Sequence, residues 1–380
     1  MTAKSPEPAI LVVNAGSSTI KYALYKAGDL SVLKRKTIEI KDKDGYEAAF
    51  QGILKLIDDN NVVGVGHRVV HGGRKYSAPQ KIDARVLADL EELTPLAPLH
   101  QPHNLMTVRL VLEKYPGLPQ TACFDTAFHQ GRPRLNQLFP LPRALTDEGI
   151  IRYGFHGLSY EYIASVLPQY APETAKGRVV VAHLGSGCSL CAMKDGKSVS
   201  TSMGLTALGG LMMGTRTGDI DPGVPLYLIG QKGMTAQEVY EIFSKQSGLK
   251  GVSGQTGDMR DLEKSKTPEA AEAIDLFCLK AAQHIAALTV DIGGLDALVF
   301  TAGIGENSPT VRQKICAHLQ HLGVTTDPAR NEANTPDIHA EGGAVKVYVI
   351  KTNEELMMAR HVKTALQSKP SAAVKTALTI

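Results

Sequence analysis

Runs of apolar residues, each followed by a turn of small or polar residues, mark the buried strands of this sequence. The first run, residues 9–13, leads through Asn14-Ala15-Gly16-Ser17-Ser18 into the β-forming segment 20–25. Strand, small turn and strand predict a β-hairpin. Glycine and hydroxyl groups in such a turn suit phosphate oxygens, and an ordinary tight turn with solvated hydroxyls is the alternative.

The same pattern returns in the second half of the chain. An apolar strand at 178–183 leads through the small-residue turn 184–188 into a second strand at 189–193. Asp195-Gly196 then gives the signal of a two-residue hairpin turn. We therefore predict an internal duplication with two facing phosphate-binding hairpins.

Helical and strand patterns alternate between these hairpins, which predicts an α/β fold. Thr267 as N-cap and Pro268 at the first helical position define the start of a long amphipathic helix. The helices are predicted at 44–60, 84–93, 104–114, 159–167, 235–244 and 268–287, and further strands at 62–66, 121–124, 297–301 and 347–350.

Two charged residues follow predicted strands. Arg68 lies in the polar segment 67–73, and its planar fork suits a carboxylate or phosphate; a surface ion pair is the alternative. Asp125 comes directly after the strand 121–124, where α/β sheets place functional groups. The alternative for Asp125 is an N-cap of the following segment.

Two further residues lie in glycine-containing segments, and of these Arg216 is a candidate for binding an oxyanion. His156 is held between glycines, and an ordinary hydrogen-bonded loop histidine is the alternative. Arg216 lies in a long loop between glycine and threonine residues, and an ion pair with Asp219 or Asp221 is the alternative.

The segment 302–308 is a glycine-rich turn between a strand and a helix. Such a turn presents N–H groups to a nucleotide, although it lacks the Gly-Lys-Ser/Thr of a P-loop and a full dinucleotide fingerprint. Near the C-terminus, Thr352 and Glu355 have capping-box spacing, which leaves Glu354 for a ligand or metal. A solvated first-turn acid is the alternative for Glu354.

Composition restricts the partners and the compartment. The length of 380 residues predicts two or three domains, and the net charge of +3 without a basic run argues against nucleic acid. The five scattered cysteines, Cys188 and Cys191 among them, are expected to be packed free thiols, as in a reducing compartment. Because no secretory h-region or membrane-length apolar run is found, we expect a cytoplasmic protein without membrane association.

Six ordered motifs make the sequence resemble the acetate kinase family from Asn14 to Arg360. They are the segments 14–18, 66–73, 124–129, 210–216, 303–307 and 352–355. The resemblance implies a duplicated ribonuclease-H-like (actin-like ATPase) fold, with two domains around a central cleft. The N-terminal domain would comprise residues 1–125 and 356–380 on the acyl-substrate side, and the C-terminal domain residues 129–353 on the nucleotide side.

The resemblance also implies reversible in-line transfer of the γ-phosphoryl group of ATP to acetate, giving acetyl phosphate and ADP, commonly by a homodimer. Mg²⁺, or Mn²⁺ in its place, would be held by Asn14 and Glu354. The carboxylate of acetate or another short fatty acid would bind Arg68, and Asp125, His156 and Arg216 would be catalytic. The pocket for its methyl group would be lined by Val70, Leu99, Phe155 and Ala207. ATP would bind Lys21, His183, Leu184, Gly185, Ser186, Gly187, Asp258, Met259, Arg260, Gly303, Ile304, Gly305, Glu306 and Asn307.

The chemistry agrees with these roles. Phosphoryl transfer needs charge neutralisation and alignment, which arginine, histidine and Mg²⁺ supply. A short fatty acid is already ionised near pH 7, since carboxyl pKa values are about 4. Our hypothesis is therefore that Asp125 positions Mg²⁺ or arginine side chains and removes no proton.

Four sites depart from the usual family pattern. Gln101 replaces an asparagine, Tyr160 a histidine and Ser186 an asparagine, while Ala207 and Gly209 replace a proline and a glutamate. The smaller Ala207 predicts better tolerance of propionate, and the shorter Ser186 predicts weaker ATP binding. The alternatives to an acetate kinase are a propionate kinase, a sugar kinase of the same superfamily, a non-enzymatic ATP-binding switch and a paralogue of reduced activity.

Overall fold

The computed structural model describes residues 7–16, 19–40 and 43–368 of the chain. Two compact units divide the chain: unit 1 comprises Met1–Ala127 and Glu354–Ile380, and unit 2 comprises Phe128–Asn353. Ser17 and Ser18 of the first predicted phosphate-binding turn lie outside the described residues.

Strands and helices alternate along the chain, as the apolar pattern predicts. The strands of the described residues are β1 (Ala9–Ala15), β2 (Thr19–Lys26), β3 (Val32–Glu39), β4 (Val62–Val69), β5 (Gln80–Lys81), β6 (Gln120–Phe124), β7 (Arg178–Leu184), β8 (Cys188–Lys194), β9 (Lys197–Thr201), β10 (Ala297–Thr301) and β11 (Lys346–Val349). The α-helices of the same residues are α1 (Lys43–Asp59), α2 (Ala84–Glu92), α3 (Gln101–Lys114), α4 (Arg143–Asp147), α5 (Gly157–Tyr170), α6 (Gly223–Gly230), α7 (Ala236–Glu241), α8 (Gly248–Ser253), α9 (Met259–Lys264), α10 (Pro268–Ile292), α11 (Ala302–Asn307), α12 (Pro309–His318), α13 (Pro328–Glu332) and α14 (Glu354–Gln367).

Unit 1 is built on a sheet whose described strands follow the order β3-β2-β1-β4-β6-β5. β1 and β2 form the predicted antiparallel hairpin, and β4 and β6 extend the sheet in parallel from β1. All five residues of β6 are buried, as expected of a central parallel strand. The edge strand β3 is exposed and basic, a composition that discourages pairing with another chain.

Unit 2 repeats this plan in a sheet whose described strands follow the order β11-β10-β7-β8-β9. β7 and β8 form the second predicted hairpin, and β10 and β11 extend the sheet in parallel. At the tip between β8 and β9, Asp195 has φ of 53° and Gly196 of 69°, as a type I′ turn requires. The predicted internal duplication is therefore visible in the strand order of the two sheets.

The long helix α10 begins where the sequence predicts, because the Thr267 hydroxyl accepts a hydrogen bond from the N–H of Ala270 at 3.3 Å. It runs on to Gly293, whose φ of 76° ends the helix. This length and apolar content would suffice for a membrane span, contrary to the expectation from the sequence. Half of its most apolar window is buried in the protein, however, as in the core helix of a soluble domain.

Three predicted loops are part of regular elements. Strand β4 continues to Val69, so that Arg68 lies on a strand and not in a loop. Helix α3 begins at Gln101, so that Gln101 and Pro102 form its first turn. The glycine-rich segment after β10 is itself the short helix α11, because the chain turns sharply at Ala302, where φ is 65°.

Candidate active site

Unit 1 brings three predicted site residues together at neighbouring strand ends. Arg68, near the end of β4, donates hydrogen bonds from Nε to Asp125 Oδ1 at 2.9 Å and from Nη2 to Asp125 Oδ2 at 2.5 Å. Its Nη1 donates to Asn14 Oδ1 on β1 at 3.2 Å. The pair is not the surface ion pair considered for Arg68, since the Asp125 side chain is only 2% exposed.

Buried amide side chains fix the backbone around this cluster. Asn104 on α3 donates to the Ala15 carbonyl at 2.6 Å and accepts from the Val70 N–H at 3.0 Å, so it joins the ends of β1 and β4. Gln101 accepts from the His71 N–H at 3.1 Å and donates to the His71 carbonyl at 3.0 Å. Gln101, a departure from the family pattern, therefore supports the chain after β4.

Charge is concentrated around Glu354 at the start of α14. Burial raises the pKa of Glu354 to about 7, the Arg68 charge opposes this, and the negative charge of Asp125 adds to it. Lys21, which lies opposite Asn14 on β2, also lowers the pKa of Glu354. For Arg68, burial disfavours the charged form, but the charge and hydrogen bonds of Asp125 prevail and raise its pKa above the ordinary arginine value.

The donor set of this cluster suits a hard cation. Among the described residues no group of three or more His, Cys, Asp or Glu side chains is arranged to hold a metal. The predicted pair, Asn14 and Glu354, supplies an amide and a carboxylate oxygen, and Mg²⁺ is usually bound by one or two carboxylates, water and substrate phosphates. The raised pKa of Glu354 marks a place where a cation would stabilise the carboxylate, so these residues fit Mg²⁺.

Unit 2 brings three predicted nucleotide-binding segments to one cavity of about 800 Å³. Gly185 and Ser186 of the β7–β8 turn line it, together with Asp258, Met259 and Arg260 at the start of α9. Gly303, Ile304 and Asn307 of α11 complete this set. Gly214 and Thr215 of the motif 210–216 and Ser308 of the segment 302–308 also line the cavity, and Gly257 and Glu263 are lining residues that no motif indicated. Glycine at positions 214 and 257 allows two backbone segments to lie close together, since a Cβ on Gly257 would lie 2.6 Å from the Gly214 carbonyl oxygen.

Other predicted nucleotide-binding residues support this wall from behind. Glu306 accepts hydrogen bonds from the N–H groups of Ala302 at 2.8 Å and Thr352 at 3.0 Å, so its carboxylate holds α11 in place. The fully buried Arg312 donates to the Gly305 carbonyl at 2.9 Å. Leu184 is buried in β7. At the start of α9, Asp258 accepts from the Arg260 N–H, and the Arg260 ion pair lowers the pKa of Asp258.

His156 has an unusual backbone conformation, with φ of 59° and ψ of 25° just before α5. A non-glycine residue in the left-handed region costs about 1–2 kcal/mol, and such strain is common at functional sites. Its Nδ1 lies 2.8 Å from Ser189 Oγ, and its ring stacks on His183 at a centroid distance of 4.2 Å. His183 Nδ1 in turn lies 2.8 Å from Ser159 Oγ.

Arg216 lies close to His156. A Cβ built on Gly187 would be 2.6 Å from Arg216 Nη2 and 3.4 Å from His156 Nε2, so both side chains border this glycine. Arg216 Nη1 donates to the Ala207 carbonyl at 2.6 Å. Asp219, one of its alternative partners, accepts from the Gly210 N–H and lies 3.6 Å from His284.

The residues predicted to line the methyl pocket are divided between the units. Val70 is buried and Leu99 half-buried in unit 1. Phe155 is buried and Ala207 half-buried in unit 2. His129 Nε2 lies 2.9 Å from the Phe155 carbonyl and fixes this backbone.

The cysteines are buried free thiols, as predicted. Burial raises the pKa values of Cys188 and Cys191 to about 12, so neither is poised for redox chemistry or metal binding at neutral pH. Cys188 Sγ donates to the Gly185 carbonyl at 3.1 Å and so braces the turn of the second hairpin.

Sequence reasoning missed the polar residues that hold these sets in place, above all Asn104 and Ser189. Both are almost completely inaccessible to solvent. A polar residue in an otherwise apolar strand or on the buried face of a helix was the available signal, because such groups need hydrogen-bond partners.

Comparison with known proteins agrees with this arrangement of two sheets of corresponding strand order, which is that of a phosphotransferase with an actin-like ATPase fold. Residues 29–360 match the sequence profile of the Acetokinase family. An acetate kinase of Nitrobacter hamburgensis is 44% identical over 96% of this chain and 98% of its own length, and one of Rhodopseudomonas palustris is 45% identical over 93% and 97%. The chain belongs to the acetokinase family.

Solved structures support the same relationship. A propionate kinase from Francisella tularensis has a TM-score of 0.87 at 36% identity, covering 94% of this chain and 99% of that chain. Acetate kinase from Porphyromonas gingivalis has a TM-score of 0.84 at 35% identity, covering 95% and 100%. The predicted fold class and family are therefore confirmed.

Proposed function

We propose that this protein is an acetate kinase that transfers the γ-phosphoryl group of ATP to acetate, reversibly and by direct in-line displacement. Relatives named acetate kinase, at 44% and 45% identity, support the activity. The observation that carries the proposal is Arg68, a guanidinium fork held by Asp125 and Asn14 at the strand ends of unit 1. Such a fork suits a carboxylate acceptor.

In this proposal, each unit has its own task. Unit 1 binds the acetate carboxylate through Arg68, and unit 2 binds ATP in its glycine-lined cavity. His156 and Arg216, which border Gly187, stabilise charge on the phosphoryl oxygens. Mg²⁺, when bound by Asn14 and Glu354, would neutralise phosphate charge.

In this mechanism Asp125 orients Arg68, adds negative charge beside Glu354 where Mg²⁺ would bind, and is not a base. Both of its carboxylate oxygens accept hydrogen bonds from the guanidinium, at 2.9 and 2.5 Å. A sugar kinase would need this carboxylate to take a proton from a hydroxyl group, whereas acetate is already ionised at neutral pH. We expect Asp125→Asn to lose rate and to be partly rescued by raised Mg²⁺; a rate that follows only the pKa of the acceptor acid would contradict this role.

The decisive experiment traps acyl phosphate with hydroxylamine in reactions of ATP and Mg²⁺ with acetate, propionate or butyrate. We expect hydroxamate from all three acids in the order acetate, propionate, butyrate. Hydroxamate from none of them, with ATP still bound, would favour a sugar kinase or a switch.

Propionate is the second candidate substrate. Ala207 takes the place of the family's usual proline, and one methylene in an apolar pocket is worth only about 1–3 kcal/mol. The similarity to a propionate kinase structure is compatible with this alternative. A higher kcat/KM for propionate than for acetate would establish it.

We also infer a homodimer of cytoplasmic protomers. Helix α6 has no charged residue, and Leu226, Tyr227 and Ile229 are 71%, 54% and 41% exposed. An apolar exposed helix of this kind suits burial against a second copy. Light scattering should give a dimer that Leu226→Asp dissociates, and a monomeric wild type would exclude it.

The five buried free thiols fit a reducing compartment.

A further inference from the structure

A chain of hydrogen bonds runs from His156 through Ser189 to Tyr160, and no role is predicted from the sequence for the last two residues. His156 Nδ1 is 2.8 Å from Ser189 Oγ on β8, and that oxygen is 2.5 Å from the phenolic oxygen of Tyr160 on α5. Ser189 and Tyr160 are both 0% exposed. Because the protein seals both hydroxyl groups from water, they are bound to each other and to the imidazole in a fixed arrangement.

These hydrogen bonds engage one of the two ring nitrogens of His156. With Nδ1 engaged by Ser189, the other ring nitrogen, Nε2, lies toward Gly187, where a Cβ would be 3.4 Å away. Arg216 Nη2 borders the same glycine. The hydrogen bond at one imidazole nitrogen sets whether the other nitrogen carries a proton. The hydrogen bonds from Ser189 and Tyr160 therefore control the protonation of Nε2.

The neighbouring His183 is also held by a series of hydrogen bonds, but that series ends on a different residue. His183 Nδ1 lies 2.8 Å from Ser159 Oγ, which is 2.9 Å from the Thr352 hydroxyl. Only the chain at His156 ends on Tyr160, the position where the family's usual motif has histidine. This departure from the family pattern is therefore connected directly to a predicted catalytic residue.

We propose that Tyr160 and Ser189 are positioning residues that fix the rotation and tautomer of His156. Tyr160 donates to Ser189 Oγ, and Ser189 donates to His156 Nδ1. This order leaves the proton of the neutral imidazole on Nε2, where it can donate to an oxygen of the transferring phosphoryl group. The inference rests on the proposed function for that last step, whereas the hydrogen-bond chain can be tested without activity.

The first test reads the tautomer directly by ¹⁵N–¹H NMR of the histidine rings in the full-length protein, with His156→Asn used for assignment. In the wild type, we expect neutral His156 to carry its proton on Nε2. Tyr160→Phe and Ser189→Ala should each give a mixture of tautomers. A wild-type proton on Nδ1, or spectra that neither variant changes, would overturn the proposal.

The second test compares steady-state kinetics with ATP and acetate. Ser189→Ala and Tyr160→Phe should lower kcat by about 10-fold or more, short of the roughly 100-fold that displacement of a reacting group by 1 Å can cost. KM for both substrates should stay within about twofold, because neither hydroxyl is proposed to contact a substrate. The double variant should be no slower than Ser189→Ala, since the chain acts as one unit.

Thr289→Ala is the control, because it removes another buried hydroxyl hydrogen bond of unit 2, the one of 2.7 Å that Thr289 donates to the Ala286 carbonyl of α10, in which no predicted site residue takes part. It should leave kcat unchanged. Additive losses in the double variant, or equal losses in the control, would overturn the proposal. If Ser189→Ala does not fold, Tyr160→Phe, which removes one oxygen, decides alone. A wild type that forms no acyl phosphate would refute the proposed function, and the NMR experiment would still report on the chain.

Discussion

In unit 1, charged side chains lie at the carboxyl ends of β4 and β6 and an amide side chain at that of β1, whereas in unit 2 glycine backbone borders the ends of β7 and β10. The two sheets have corresponding strand orders, so the difference lies in the residues that follow each strand. A small carboxylate needs a fixed fork of hydrogen-bond donors. A nucleotide needs room and close N–H groups, which glycine provides. One duplicated framework can thus supply two kinds of binding site.

The largest effect that tests this comparison should come from Arg68→Gln. We expect KM for acetate to rise at least about 100-fold, since hydrogen bonds between charged groups contribute roughly 1.5–3 kcal/mol each. ATP binding, measured by calorimetry, should change little. Arg109→Gln is the control, because Arg109 pairs with Glu91 through Nε and Nη2 on an exposed part of unit 1. An unchanged KM for acetate would remove Arg68 from the acceptor site.

A smaller but clear loss should follow from Gly187→Ala in unit 2. The new Cβ would lie 2.6 Å from Arg216 Nη2, so the guanidinium must move. We expect kcat to fall by about 10- to 100-fold, as misplaced catalytic groups commonly cause. Gly230→Ala is the control, since a Cβ there meets no atom within 4 Å. Equal kcat in both variants would show that Arg216 is not needed at this position.

Acid should weaken both units through buried histidines. Burial lowers the pKa of His129 in unit 2 to about 3 and that of His67 in unit 1 to about 4, from an ordinary 6.5. The unfolded chain therefore binds more protons as pH falls below about 6.5, and the free energy of unfolding declines toward the folded pKa values. Each histidine contributes a slope of about 1.4 kcal/mol per pH unit within its window.

Urea titrations between pH 7 and pH 5 can separate the two contributions. His129→Gln should reduce the change in the free energy of unfolding per pH unit for the transition of unit 2, and His67→Gln should do so for unit 1. The exposed His321 provides the control variant His321→Gln. Slopes that none of the variants alters would exclude these histidines as the source of acid sensitivity.

The smallest expected effect concerns the choice of acid. Ala207→Pro restores the residue typical of the family, and it retains the carbonyl that accepts the 2.6 Å hydrogen bond from Arg216. The ratio of kcat/KM for acetate over propionate should rise by less than about 10-fold, the low end of what a methylene contributes. Gly209→Ala provides a neighbouring control. A lower ratio would contradict the proposed effect of Ala207.

Elements with continuous apolar patterns and complete capping or turn signals could be predicted from the sequence. Both hairpins, the buried strand β6 and the start of α10 at Thr267 follow from apolar runs, turn residues and caps. Gly185 and Gly303 also predicted parts of the cavity wall. The backbone freedom of glycine is a property of the residue itself, so it can be inferred from the sequence. Element ends were less certain, as at β4, whose pairing with β6 extends the strand through Arg68.

The pairs that the polar groups form could be known only from the folded structure. Arg68 and Asp125 are 57 residues apart, and Ser189 reaches His156 over 33 residues, so no local pattern connects them. Their pairing depends on strand order and on the exclusion of water from the interior. For the same reason, Glu306 and Gln101 could be noticed in motifs, but their hydrogen-bonding roles became clear only when distant backbone groups were placed beside them.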